Sequence, residues 1–119
     1  MRIAEPLVVD DATELVALHR ALFEAQFAKD PEDRDVPGSP LIAALANRVV
    51  GLLARQDARW EDWRRAELHP DRVSIVGRRL RSRPGWPQLS RVDRTKMVLD
   101  SLAPLIAGDE LIQRLVEEG

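Results

Sequence analysis

The chain has 119 residues, a formal net charge of −2, 45% hydrophobic and 32% charged residues, and no cysteine. This length and composition are typical of one folded domain, and they exclude a disordered chain, a disulfide framework, a thiolate metal site and a cysteine nucleophile. Because there is no stretch of about 18 apolar residues and the N-terminus lacks the pattern of a signal peptide, we expect a cytoplasmic protein without a membrane span, formed by residues 1–119 as a single α-helical domain.

The first predicted element is a helix that follows a leader, residues 1–10. Asp10 or Asp11 is expected to cap this helix, which runs to about residue 28. A wide apolar face is indicated by Leu15, Val16, Leu18, Leu22, Phe23 and Phe27. His19 lies beside this face, and we interpret it as a residue at the boundary of the core rather than as a catalyst.

An acidic, proline-rich loop, residues 29–40, separates the first helix from the next. The Ser-Pro pair that ends the loop is typical of a helix start, with an N-cap followed by proline at the first helical position. Helical spacing of apolar residues then continues to about Glu67, and we expect a bend or break at Gly51 or at residues 56–57. The two tryptophans of this segment, three residues apart, are expected to pack in the core.

The His-Pro pair at residues 69–70 predicts a helix boundary, because a residue that precedes proline avoids the helical conformation. Asp71 is expected to cap the short basic helix that follows. Its inward side chains are predicted to be Val73, Val76 and Leu80, and its outward ones Arg72, Arg78, Arg79 and Arg81. Residues 83–87 form a proline and glycine loop, in which Trp86 either closes the core or is an exposed anchor. We favour the core.

Ser90 is expected to cap a further helix, with Asp93 three residues later. Its apolar positions are Val92, Val98, Leu99 and Leu102. Pro104 is expected to kink or restart this helix and Gly108 to end it, after which Asp109 caps a last helix. The patterns together predict an all-α fold, a compact bundle of four to six helices.

Charge is distributed unevenly along the chain. The net charge is −5 over residues 1–36, +7 over residues 64–96 and −4 over residues 97–119. We call residues 64–96 the basic segment; it contains ten basic and three acidic residues. This asymmetry indicates either a surface for an acidic partner or a basic helix that pairs with the chain's own acidic ends, and both interpretations stay open here.

The function predicted from these features is that of a small non-enzymatic binding or regulatory module. The sequence contains no Walker loop, nucleophile elbow or HExxH pair, so we expect no catalytic residue, metal site or cofactor. We expect the basic helix to engage a protein partner or a second copy of the chain. The predicted partner-binding residues are Arg72, Arg78, Arg79, Arg81, Arg83 and Trp86. The alternative is a nucleic-acid-binding regulator resembling a helix-turn-helix, in which Arg78, Arg79, Arg81 and Arg83 contact phosphates.

A second alternative comes from a resemblance to GNAT acetyltransferases. Residues 11–23 resemble the first helix of that family, and residues 69–72 with residues 77–80 resemble its acyl-CoA pyrophosphate loop and the helix that this loop opens. The resemblance implies a β-sheet beside the helices. Val73 and Ile75 stand where the family has glycines, so the resemblance implies a degenerate relative without acetyltransferase activity.

Overall fold

Six α-helices and two short 3₁₀ helices make up the computed structural model, which describes residues 5–118. The α-helices are α1 (Ala12–Gln26), α2 (Pro40–Gln56), α3 (Arg59–Trp63), α4 (Pro70–Arg81), α5 (Arg91–Leu102) and α6 (Asp109–Glu117). The 3₁₀ helices are Ala66–Leu68 and Trp86–Gln88. The predicted all-α bundle of four to six helices is therefore confirmed.

The described part of the chain contains no β-strand. Its one β-type contact is an isolated parallel bridge between Arg65 and Ile106. The segment that follows the acidic loop is the regular helix α2, and the basic helix begins directly after a 3₁₀ turn rather than after a strand. The sheet implied by the resemblance to GNAT acetyltransferases is thus missing from residues 5–118, and the resemblance does not extend to the fold.

Two predicted helix starts are confirmed by their hydrogen bonds. Asp11 precedes α1, and its carboxylate accepts the backbone N–H of Thr13 at 2.7 Å. Ser90 precedes α5, and its hydroxyl accepts the backbone N–H of Asp93 at 3.1 Å. Asp11 also accepts the backbone N–H of Glu14, at 3.4 Å. These side chains satisfy donors that a helix leaves unpaired at its N-terminus, and these local bonds fix where each helix begins.

Two other predicted caps are wrong by one or two residues. Helix α4 is preceded by His69, and α6 by Gly108. Pro70 occupies the first helical position of α4 because its ring already holds the helical φ angle. Asp71 and Asp109 consequently lie inside the first turn of their helices, where a negative charge still favours the helix dipole.

The long apolar segment after the acidic loop forms two helices rather than one. The chain leaves the helical conformation at Asp57, whose φ and ψ angles are −149° and 111°. The carboxylate of Asp57 accepts the backbone N–H of Arg59 at 3.0 Å, which supports the start of α3. The break therefore lies at the second of the two predicted places, and Gly51 is a regular residue of α2.

Helix α5 differs from the prediction in its length, and some of its apolar positions are exposed. It ends at Leu102 rather than at Gly108, because the residue before Pro104 adopts an extended ψ angle of 137°. Of the four apolar positions that indicate this helix, Val92 and Leu99 are exposed, with exposed fractions of 78% and 49%. The buried residues of α5 are Val98, Ser101 and Leu102.

Two apolar clusters form the core. The larger lies among α4, α5, α6 and the 3₁₀ helices; its buried residues are Phe27, Ala66, Val76, Leu80, Trp86, Val98, Leu102, Leu105, Leu115 and Val116. The smaller lies between α1 and α2 and contains Leu15, Leu22, Ala46, Val49 and Leu53. Burial of these apolar side chains is the main source of stability. Of the three inward residues predicted for α4, Val76 and Leu80 are buried and Val73 is half-buried.

An aromatic cluster connects α1 to α3 and to the start of α4. The ring of His19 meets Trp60 and Trp63 edge-on, with centroid separations of 5.0 and 4.8 Å. Trp63 also packs on Phe23, and its carbonyl accepts the Nε2–H of His69 at 2.6 Å. Both tryptophans are half-buried and pack against the two apolar clusters, which agrees with the predicted core packing. Burial lowers the pKa of His19.

The leader forms no regular element over residues 5–10. Val9 packs against the smaller cluster, whereas Leu7 and Val8 are exposed. The first four residues of the predicted leader, and Gly119, lie outside the described residues. Within that described range, none of the helices combines the length and the apolar character needed to cross a membrane.

Candidate functional site

The basic segment divides into three groups according to what its side chains contact. The first group consists of arginines that donate to backbone carbonyls, and Arg64 and Arg94 are two of them. Arg64 Nε donates to the carbonyl of Pro104 at 3.0 Å. The guanidinium group of Arg94 donates to the carbonyls of Trp86, Pro87 and Val116 at 3.2, 2.8 and 3.1 Å. These side chains tie chain segments together, and they are not directed towards a partner.

Arg79 is the third member of this group. Its Nη1 and Nη2 donate to the carbonyls of Gln26 and Ala28 at 3.0 and 2.8 Å, so it satisfies carbonyls at the C-terminus of α1. Burial lowers the pKa of Arg79, although a guanidinium remains protonated at neutral pH. The predicted outward orientation of Arg79 is therefore wrong. The C-terminus of α1 packs against this side of α4. The periodicity of α4 alone does not predict this contact between the two helices.

The second group of basic side chains forms ion pairs. The pairs are Arg65 with Glu67, Arg91 with Glu117, and Lys96 with Asp100, at 3.5, 3.2 and 3.0 Å. Two of these pairs, Arg91 with Glu117 and Lys96 with Asp100, join the basic segment to acids of residues 97–118. Exposed pairs of this kind stabilise a fold by less than about 1 kcal/mol. The acidic C-terminal part thus pairs with the basic segment at two positions of α5, and no basic side chain of α4 has a carboxylate partner in the described part of the chain.

The third group is the candidate site, and it contains Arg72, Arg78, Arg81 and Arg83. All four side chains are exposed, and none has a carboxylate within 4 Å in the described part of the chain. The guanidinium of Arg72 lies over the ring of Phe23, 5.3 Å from its centroid. We call these four side chains the arginine face. They are four of the five arginines that the sequence predicts for partner binding.

Two adjoining grooves run between α4 and the loop that follows α1. The smaller, of about 270 Å³, is lined by the cations Lys29, Arg72 and Arg78 and by the single acid Asp71. The larger, of about 510 Å³, shares Lys29 and Arg78 with it. Its further cations are Arg34 and Arg79, and its one acid is Asp30. We call the two together the loop groove.

Sequence reasoning missed the contribution of Lys29 and Arg34 to a cationic site. Both lie in a loop that is acidic as a whole, so its composition conceals them. Their significance depends on the tertiary position of the loop beside α4, and no sequence pattern would have revealed it. Arg78 lies at the centre of this surface, since it also lines a third groove, of about 510 Å³, with Arg81 and Arg114.

Trp86 is not part of the candidate site. Its side chain is fully buried in the larger cluster, with an exposed fraction of 0%. Arg94 covers it, with the guanidinium 5.3 Å from the ring centroid, and its Nε1–H has no hydrogen-bond acceptor among residues 5–118. Trp86 therefore closes the core and is not an exposed anchor. The prediction that Trp86 contacts a partner is wrong, because its side chain is not accessible.

The candidate site offers binding chemistry rather than acid–base chemistry. Arginine presents five N–H donors in a rigid fork that matches carboxylate and phosphate groups. Over the described residues, no group of three or more histidine and acidic side chains is placed to hold a metal ion. Comparison with protein-family models, with curated proteins and with solved structures finds no match to this chain.

Proposed function

We propose that this protein is a non-enzymatic binding module that engages an acidic segment of a partner protein through the arginine face of α4. One observation carries the proposal: the other six basic side chains of the basic segment are engaged within the fold, whereas these four are exposed and unpaired in the described part of the chain. Positive charge without a counter-ion attracts acidic surfaces and accelerates their association.

The dimensions of the arginine face suit a short acidic segment. Arg78 and Arg81 are one helical turn apart, and the part of α4 from Arg72 to Arg81 is about 14 Å long, at about 1.5 Å per residue, with Arg83 just beyond the end of the helix. Ser74 lies beside them on the exposed side of α4, and the exposed part of this side contains one acid, Asp71. A partner with several carboxylates can pair with the arginines, and such pairs contribute more to the rate and specificity of association than to affinity.

A protein partner is favoured over nucleic acid because the basic side chains of α5 are already engaged in contacts within the fold. In a helix-turn-helix the second helix enters the major groove, and here α5 would take that place after α4. Its basic side chains are already engaged: Arg91 and Lys96 pair with carboxylates, and Arg94 holds backbone carbonyls. The second helix therefore has no unpaired cation within the described residues with which to contact a phosphate or a base edge.

The test is a charge reversal on the arginine face. We expect Arg78→Glu/Arg81→Glu to abolish capture of the partner from an extract of the native host, with an unchanged circular dichroism spectrum, because both side chains are exposed. The matched control is Arg48→Glu/Arg55→Glu, which makes the same charge change at two exposed positions of α2. Equal capture by both variants, or unfolding of the α4 variant, would reject the proposal.

Two further measurements separate the other binding partners. Sedimentation velocity at low salt tests a second copy of the chain, since self-association through the arginine face would disappear in the α4 variant. A titration with generic duplex DNA at low salt tests the nucleic-acid alternative, because binding through phosphates is strongest there. Absence of DNA binding at micromolar protein removes that alternative.

A further inference from the structure

The loop groove differs from the arginine face in being concave. Its walls are α4 on one side and residues 29–37 on the other, and it has apolar surface from Phe27, Ile75, Pro31 and Pro37. The larger volume, about 510 Å³, lies in the range of small-molecule sites, and the smaller, about 270 Å³, lies just below that range. A groove of this shape encloses a ligand group more fully than a helix surface does.

The loop groove also has a strong excess of positive charge. Five cations line it, Lys29, Arg34, Arg72, Arg78 and Arg79, against two acids, Asp30 and Asp71. None of the five has a carboxylate within 4 Å in the described part of the chain. The net charge of the lining is therefore +3, and the fold itself does not neutralise it.

The positive charge of Arg79 is screened less by water than that of an exposed arginine. Its guanidinium is half-buried and is held by the carbonyls of Gln26 and Ala28, which are dipoles without a formal charge. Interactions between charges are stronger where water is partly excluded. An anion in the loop groove would thus gain more from Arg79 than from an arginine in full contact with water.

The charge and the donors of the groove fit a phosphoryl group better than a single carboxylate. A phosphate monoester carries a charge of about −1.5 to −2 at neutral pH and three acceptor oxygens. Arg34, Arg78 and Lys29 together provide more donors than two carboxylate oxygens can use. The apolar surface of Pro31, Pro37 and Ile75 can contact the organic part of the ester.

We infer that the loop groove is a binding site for a phosphate monoester, with Lys29, Arg34 and Arg78 as its principal contacts. The monoester belongs either to a small molecule or to a phosphorylated side chain, since both present the same phosphoryl chemistry. This site overlaps the proposed protein-binding face at Arg72 and Arg78. Arg81 and Arg83 lie outside it.

The test is a titration of the intact protein with phenyl phosphate at low ionic strength, followed by amide chemical shifts. We expect saturable shifts at residues 29–37 and 75–82, and binding at least about tenfold weaker for benzoate, which has the same ring but one charge. Lys29→Gln and Arg34→Gln are each expected to weaken phenyl phosphate about tenfold, because each removes a charged donor from an exposed loop position.

A control variant distinguishes this site from the arginine face. Arg81→Glu/Arg83→Glu is expected to leave the phenyl phosphate titration within about twofold of wild type, since both residues lie outside the groove and act only over a screened distance. The same variant weakens capture of the protein partner if the proposed function is correct. Either proposal can therefore fail while the other holds.

The source of the phosphoryl group follows from a second titration, with a phosphoserine peptide and its glutamate counterpart. Tighter binding of the phosphopeptide than of phenyl phosphate assigns a phosphorylated protein, and weaker binding assigns a small phosphate monoester; both support the site. Unsaturable shifts, equal binding of benzoate, or unchanged affinity in Lys29→Gln and Arg34→Gln would each overturn it.

Discussion

Arg79 and Gln26 form a junction between α4 and α1. The guanidinium of Arg79 donates to the backbone carbonyl of Gln26 at 3.0 Å, and the side chain of Gln26 is itself fully buried. The amide nitrogen of Gln26 donates to the carbonyls of Asp100 and Ala103, at 2.5 and 3.0 Å, and its oxygen accepts the N–H of Gly38 at 2.8 Å. The last residue of α1 thus connects α4, the end of α5 and the end of the acidic loop.

The first prediction concerns the contribution of Arg79 to stability. We expect Arg79→Ala to lower the free energy of unfolding by about 2 to 3 kcal/mol, because two carbonyls at the end of α1 lose charged donors. Guanidinium chloride unfolding measures the change. The neighbouring substitution Arg78→Ala is the control and is expected to change stability by less than about 0.5 kcal/mol, since that side chain is exposed. Equal effects would show that Arg79 is not structural.

The second prediction concerns the buried amide of Gln26. Gln26→Leu is expected to cost about 2 to 4 kcal/mol, because the Gly38 N–H and two carbonyls lose their partners in a region from which water is excluded. Thermal unfolding followed by circular dichroism measures the loss. Gln113→Leu, at an exposed position of α6, is the matched control, and its Tm is expected to stay close to that of wild type.

The third prediction contrasts two glycines. Gly38 has a φ angle of +79°, and a Cβ atom there would lie 3.0 Å from Ser101 Oγ, so Gly38→Ala is expected to destabilise by about 1 to 3 kcal/mol. Gly51 lies inside α2, where an added Cβ meets no atom within 4 Å. Gly51→Ala is therefore expected to stabilise by about 0.5 to 1 kcal/mol, since alanine favours the helix. A shift of both melting temperatures in the same direction would contradict this assignment.

The fourth prediction concerns the dependence of stability on pH. Burial lowers the pKa of His19 below its ordinary value of 6.5, so the unfolded chain binds a proton at a pH where the folded chain does not. The stabilising contribution is complete above pH 6.5 and is lost as the pH falls from 6.5 towards the lower pKa of the folded state. We expect the midpoint of urea unfolding to decrease on acidification through this window.

The variant His19→Phe tests the source of this dependence. Phenylalanine retains the aromatic contacts with Trp60 and Trp63 but cannot take up a proton. The decrease in the unfolding midpoint as the pH falls below 6.5 is expected to become smaller in the variant. Parallel pH profiles of wild type and variant would assign the dependence to other groups.

The sequence allows the helices and several of their starts to be predicted, because these features depend on local interactions. The Asp11 cap requires only the next two residues, and the Ser90 cap only the next three. The inward face of α4 is also predicted correctly, since Val76 and Leu80 recur at helical spacing and are buried. At the start of α4 two local preferences conflict, because aspartate favours the cap position and proline the first helical position. Pro70 takes the first helical position, so His69 precedes the helix and Asp71 is not its cap.

Periodicity fails where the burial of a side chain depends on which element covers it. Val92 and Leu99 have the same chemistry as the buried Val98 and Leu102, but their side chains are exposed. An apolar side chain is more stable when it is buried. Whether it is buried depends on which elements of the fold pack against it. The positions of exposed apolar residues therefore had to come from the fold.

The sequence by itself determined the all-α class, the principal helix boundaries and the concentration of positive charge in residues 64–96. Only the tertiary structure decided which of those charges are structural. Arg78 and Arg79 are adjacent and chemically identical, yet Arg79 holds the end of α1 and Arg78 is exposed between the grooves. The reason is that a guanidinium donates to carbonyls that lie within about 3 Å of it, and the residues that supply them here are 53 and 51 positions away in the chain.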